Sequence, residues 1–144
     1  MLHRNDEDIL NTICKNSRMA YESTGQVMSR CRDSRLTDYL ARQRKHYAET
    51  YSAARKRLNE GNSRPEPVPP MQLVMAHIGI AAKTAFDRST GHIAELMYDG
   101  TNMGIIDIAR SVNRSSHAAP ENIRLAESLL SDEEKYADGL RKFL

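Results

Sequence analysis

Two His-x-x-Glu pairs stand in this sequence, His46-Tyr-Ala-Glu49 and His92-Ile-Ala-Glu95. Residues three apart on a helix share a face, so each pair can turn an imidazole and a carboxylate toward one metal ion. If Asp87, His92, Glu95 and Glu133 converged, they would form a hard-ligand site for iron, manganese or zinc. A structural role for each is the expectation. His46 and Glu49 flank Tyr47 on what reads as a helix seam and should face solvent. Asp87 falls in line with Ile80, Thr84, Gly91 and Ala94 on an apolar helix, where Thr84, Lys83 or an arginine would have to satisfy it. Glu133 interrupts a seam between Leu130 and Ala137, pairing with Lys135 or an arginine or lying at a wet end of a bundle. No bound cofactor is expected, and the metal site stands as the alternative.

Other chemistries lack their residues. There is no Gly-x-Ser-x-Gly, Cys-x-x-Cys or Ser-x-x-Lys, and no Gly-rich loop between a strand and a helix. Cys14 and Cys31 are seventeen residues apart on one expected helix, about 25 Å at helical rise, and cannot bond to each other. Cys14 reads as a small apolar packing residue, and His77, among Met75, Ala76 and Ile78, as an interior or groove histidine.

The elements that must position these residues are helical throughout. Asn5 followed by Asp6, Glu7 and Asp8 signals a helix start, and Ile9, Ile13, Ala20, Thr24, Val27 and Cys31 recur at helical spacing, predicting a helix over 5–31. Asp33-Ser34 starts a second, over 34–60, whose seam is Leu36, Leu40, Gln43, Tyr47, Tyr51, Ala54 and Leu58. The short connection makes the two a helical hairpin. Arg42, Arg44, Lys45, Arg55, Lys56 and Arg57 fall mostly off that seam, as a solvated face.

Four prolines within residues 61–70 exclude helix and predict an extended crossing strap. From Met71 the chain is apolar nearly all round, which predicts a helix buried on several sides. Two readings compete at Asp99-Gly100-Thr101-Asn102. Either the helix ends there and a short one follows over 103–112, or it runs through Gly100 and Gly104 in the phase of Ala94, Met97, Thr101, Ile108 and Val112, with both glycines on one face. An unbroken helix over 71–112 would span about 63 Å and overshoot its partners, so a break at residue 99 or 100 is expected, giving helices over 71–98 and 103–112. Pro120 opens the last helix, over 120–143, with Ile123, Ala126, Leu130, Ala137, Leu140 and Leu144 as its seam. The expected fold is all-α, an antiparallel up-down-up-down four-helix bundle with a short additional helix before the last long one, in a single domain over 1–144.

Residues 1–64 carry 13 Lys/Arg against 8 Asp/Glu, and residues 65–144 carry 8 against 11. The split lets the halves attract, within a monomer or across a dimer, and is too small to mark a nucleic-acid surface. No apolar run approaches the ~20 residues of a membrane span. Seven methionines, two unpaired thiols and no secretory leader fit a reducing cytoplasm.

The hairpin, the strap and the stretch DRSTGHIAELMYDGTNMGIID from Asp87 to Asp107 resemble small, mostly uncharacterised bacterial proteins of the ferritin-like type. That resemblance implies a four-helix bundle and, in the enzymes and stores of the type, di-iron oxidation. The Glu-x-x-His ligand pairs that carry such chemistry have no match in this chain. The functional expectation is a non-enzymatic structural or protein-interaction module that forms a homodimer or higher homo-oligomer or binds another protein. Its contacts would come from the Met-rich third helix or from Gly100, Met103 and Gly104.

Overall fold

In the computed structural model, which describes residues 2–144, five α-helices follow one another: α1 (Arg4–Met28), α2 (Ser34–Glu60), α3 (Pro70–Thr84), α4 (Thr90–Arg114) and α5 (Pro120–Leu140), closed by a 3-10 turn at Arg141–Phe143. Among the described residues there is no strand, and no helix is long and apolar enough to cross a membrane. The cap of α1 is His3, whose Nδ1 accepts from the Asn5 N–H, rather than Asn5 itself. Asn5 reaches across instead, its Oδ1 accepting from the His117 N–H. Asp33 caps α2 as expected, accepting from the N–H groups of Arg35 and Leu36.

The four-helix bundle forms from α1, α2, α4 and α5, but the path through it differs from the expected one. Residues 61–69 do not merely cross an end of the bundle. Ser63 donates to Glu7, the Glu66 N–H donates to Asn11, and Lys15 pairs with Glu66. Further along, Gln26 donates to the His77 carbonyl and Arg88 to that of Arg30. Strap and α3 therefore climb beside α1 and return the chain to the end where α2 began. Val27 near the end of α1 packs with Ile93 and Ala94 at the start of α4, so α4 runs antiparallel to α1 and in the same direction as α2. The order is up, down, down, up, with one long crossover.

The short helix thus precedes α4 rather than α5, and the expected break at residue 99 or 100 is replaced by one at residues 85–89. Ser89, extended at φ −61° and ψ 151°, accepts from the His92 N–H as the N-cap of α4, and Asp87 accepts from the Ser89 N–H. Helix α4 then continues through both glycines because Ala94, Met97, Thr101 and Ile108 form a stripe buried in the core, and tertiary burial outweighs the local stop signal. Division at 85–89 also removes the overlong helix.

The expectation of a helix buried on several sides is overturned for α3, where Thr84 alone is buried. Four longer helices already close the core, so α3 lies outside it against α1 and leaves Met71, Val74, Met75 and Ile78 exposed.

Two apolar clusters fill the bundle. One contains Ile9, Ile13, Cys14, Tyr47, Leu58, Ile108 and Leu129, the other Val27, Leu36, Leu40, Ile93, Met97 and Leu140. Between the two levels each long helix places a polar side chain inward: Ser17 and Thr24 from α1, Gln43 from α2, Thr101 from α4 and Glu133 from α5, all buried.

Candidate functional site

This polar layer is the chemically unusual feature of the interior. Glu133 is 1 % exposed and belongs to no ion pair among the described residues. Its carboxyl faces the Tyr47 hydroxyl closely enough to feel its pull, and that hydroxyl accepts from Gln43 Nε2 at 2.7 Å. The same amide donates to Thr101 Oγ1 at 3.1 Å. Thr24 Oγ1, Ser17 Oγ, Gln43 Oε1 and Glu133 Oε1 are buried with no hydrogen-bond partner among the described residues. Four such atoms in the middle of the bundle depart from the ordinary economy of a protein core, where buried polar groups are paired.

Burial pushes the Glu133 carboxyl up to about 7, against the opposing pull of the Tyr47 hydrogen bond, with Asp132 adding to the rise. Burial likewise lifts the Tyr47 hydroxyl well above the usual phenol range, reinforced by Glu133. A carboxyl titrating near neutrality can hold or release a proton.

The layer forms part of the lining of a groove of about 700 Å³, open along one side between α1, α3 and α4. Met19, Ile80, Leu96, Met97 and Met103 supply apolar wall, while Thr24, Tyr47, Thr101 and Glu133 supply polar lining. Gly104 lets the carboxylate come this close to the groove: a Cβ there would lie 2.8 Å from Glu133 Oε2 and 3.3 Å from Asn16 Nδ2. Around Gly100 there is open space. Of the three residues named for interface contacts, Gly100 and Met103 are exposed, whereas Gly104 makes a close contact within the chain.

The four residues named as possible ligands are placed apart. Asp87 is exposed in the α3–α4 bend, where hydrogen bonds from the Ser89 side chain and backbone hold its carboxyl below the usual range. His92 Nε2 donates to the Lys83 carbonyl at 2.7 Å and its Nδ1 lies 4.0 Å from Asp87 Oδ2. The imidazole therefore clasps the end of α3 to the start of α4. Glu95 faces solvent. Glu133 packs beside Gly104, twelve residues or about 18 Å along α4 from His92. Among the described residues no three His, Cys, Asp or Glu side chains form a group able to hold a metal ion. Among the described residues Glu133 pairs with neither Lys135 nor an arginine, and it sits in the bundle's middle rather than at a wet end.

Cys14 is buried and its thiol is pushed up to about 11 by burial, as suits a packing residue. His77 is exposed rather than interior, engaged through its backbone carbonyl. The layer itself was visible in part: Thr24, Gln43, Tyr47, Thr101 and Glu133 each fall on an apolar seam of their helix. Their meeting at one level depends on the vertical register of the four helices, which no single seam contains.

No family model matches the chain, and no curated protein sequence matches it. The fold defines an all-helical bundle of the ferritin-like class. Among solved structures it is similar to the dodecameric thioferritin described as the bacterioferritin-related protein of Bacteroides fragilis, with a TM-score of 0.76 and 11 % identity over 96 % of this chain and 83 % of that one. It is also similar to a DUF305 fragment from Deinococcus radiodurans, with a TM-score of 0.78 and 11 % identity over 98 % of this chain and 95 % of that one. At such identity the likeness is one of fold.

Proposed function

We propose that this chain is a non-enzymatic helical-bundle module that self-associates, with a second copy covering the outer face of α3. The observation that carries the reading is the row Met71, Val74, Met75 and Ile78, spaced at i, i+3, i+4 and i+7 and each more than half exposed. A helical stripe of this kind is what an amphipathic helix buries against a partner. Phe86, fully exposed in the adjoining bend, and Met103 and Ile106 on α4 add apolar surface. The similar thioferritin is dodecameric, which supports assembly as a use of this fold. Both cysteines are free thiols, in keeping with a cytoplasmic setting.

Sedimentation velocity over a hundredfold range of concentration tests the reading. A mass of two or more chains that falls to one in the Met75→Glu, Ile78→Glu double variant is expected. A wild-type monomer at every concentration would remove it.

A further inference from the structure

The groove and its polar lining carry a proposal independent of self-association. We propose that the groove between α1, α3 and α4 is a binding site for a small amphipathic amine, its ammonium head against Glu133 and its aliphatic body along the methionine-lined wall.

Hydrogen-bond accounting selects the head. Gln43 Nε2 is engaged with Tyr47 and Thr101. What the groove-lining residues leave open is Glu133 Oε1, together with the hydroxyl oxygen of Thr24. Above about pH 7 the Glu133 carboxyl is ionised and its oxygens only accept, so the missing group there is a donor. Glu133 also lacks a cationic side-chain partner among the described residues. A buried carboxylate in that condition is strongly favoured by an incoming cation, and a primary ammonium brings both a positive charge and three N–H donors.

The walls select the body. Met19, Met97 and Met103 are unbranched, adaptable apolar surfaces suited to an alkyl chain, with Ile80 and Leu96 adding apolar wall, and about 700 Å³ falls within the range of small-molecule pockets. The rim is of mixed sign, with Asp99 and Asp107 beside Lys83, Arg110 and Arg114. Lys15 there is already paired with Glu66. Exposed rim charges are screened by solvent and salt, which leaves the sign of the inner carboxylate to decide the ligand's.

Isothermal titration calorimetry at pH 8 with n-octylamine, n-octanol and n-octanoate, each below its micelle concentration or solubility limit, separates the parts of the claim. Saturable binding of octylamine is expected, with octanol and octanoate each weaker by about tenfold or more. The near-isosteric Glu133→Gln variant should lose about the same factor for octylamine and leave octanol unchanged. Methyl NMR on labelled methionine locates the ligand: Met19 and Met97 should shift, and Met71 and Met75 on the outer face of α3 should not. Octanoate binding as tightly as octylamine, an unaltered octylamine affinity in Glu133→Gln, shifts confined to Met71 and Met75, or no saturable binding would each overturn the proposal. Sedimentation of the same samples reads self-association separately.

Discussion

Glu133 is costly where it stands, and its cost depends on pH. Its folded-state value of about 7 lies above the ordinary 4.5, so between those values the folded chain holds more protons than the unfolded one. Stability is therefore fully present below 4.5, falls as pH rises, and reaches its lower level above about 7. The difference amounts to about 3 kcal/mol. Urea denaturation at pH 5 and pH 8 should show the decline in the wild-type chain, and Glu133→Gln should flatten it and be the more stable of the two at pH 8. A decline that persists unchanged in the variant would assign it to other groups.

The two glycines of α4 should respond in opposite directions. Gly100 faces open space, so Gly100→Ala gains helix propensity and should stabilise by about 1 kcal/mol. At Gly104 the same methyl would meet Glu133 Oε2 and Asn16, and overpacking costs about 1–3 kcal/mol against that gain. Thermal denaturation of the pair should place Gly104→Ala below Gly100→Ala and below the wild type.

Among the elements, the α3–α4 bend replaces the expected stop at Asp99-Gly100 through a local device, the Ser89 cap with Asp87 beside it. Loss of the cap in Ser89→Ala should cost about 1 kcal/mol, and circular dichroism of the variant should show no gain in helix. A gain would mean that α3 and α4 fuse once the cap is removed. The start of α5 is capped across the fold: its own N-cap position, Ala119, has no side-chain acceptor, and Asp6 of α1 accepts from the Ala119 N–H at 2.7 Å and from Asn122 Nδ2 at 2.8 Å. Asp6 reads in sequence as a residue favouring the start of its own helix. Its buried service to α5 comes from the antiparallel return of the chain.

For the whole molecule, the apolar row of α3 and the groove behind it divide the functional reading into two surfaces. A second copy on Met71, Val74, Met75 and Ile78 would cover the outer face and leave the groove's inner carboxylate to a small ligand. Mass by sedimentation and affinity by calorimetry should accordingly respond to different substitutions, with Met75→Glu and Ile78→Glu altering the former and Glu133→Gln the latter.

The sequence by itself determined the first two helices and the last, the hairpin at residues 29–33, the extended strap and the all-α bundle, because the spacing of apolar residues, caps and prolines acts over a few residues at a time. It also marked Gln43, Tyr47, Thr101 and Glu133 as polar residues lying on apolar seams. Only the tertiary structure decided that α3 lies outside the core, that α4 runs through both glycines, and that Glu133 meets Tyr47 and Gly104 while Asp87, His92 and Glu95 stay at the far end or in solvent. Those outcomes turn on which helices compete for the core and on their register along the bundle axis, and neither is encoded in the periodicity of any one helix.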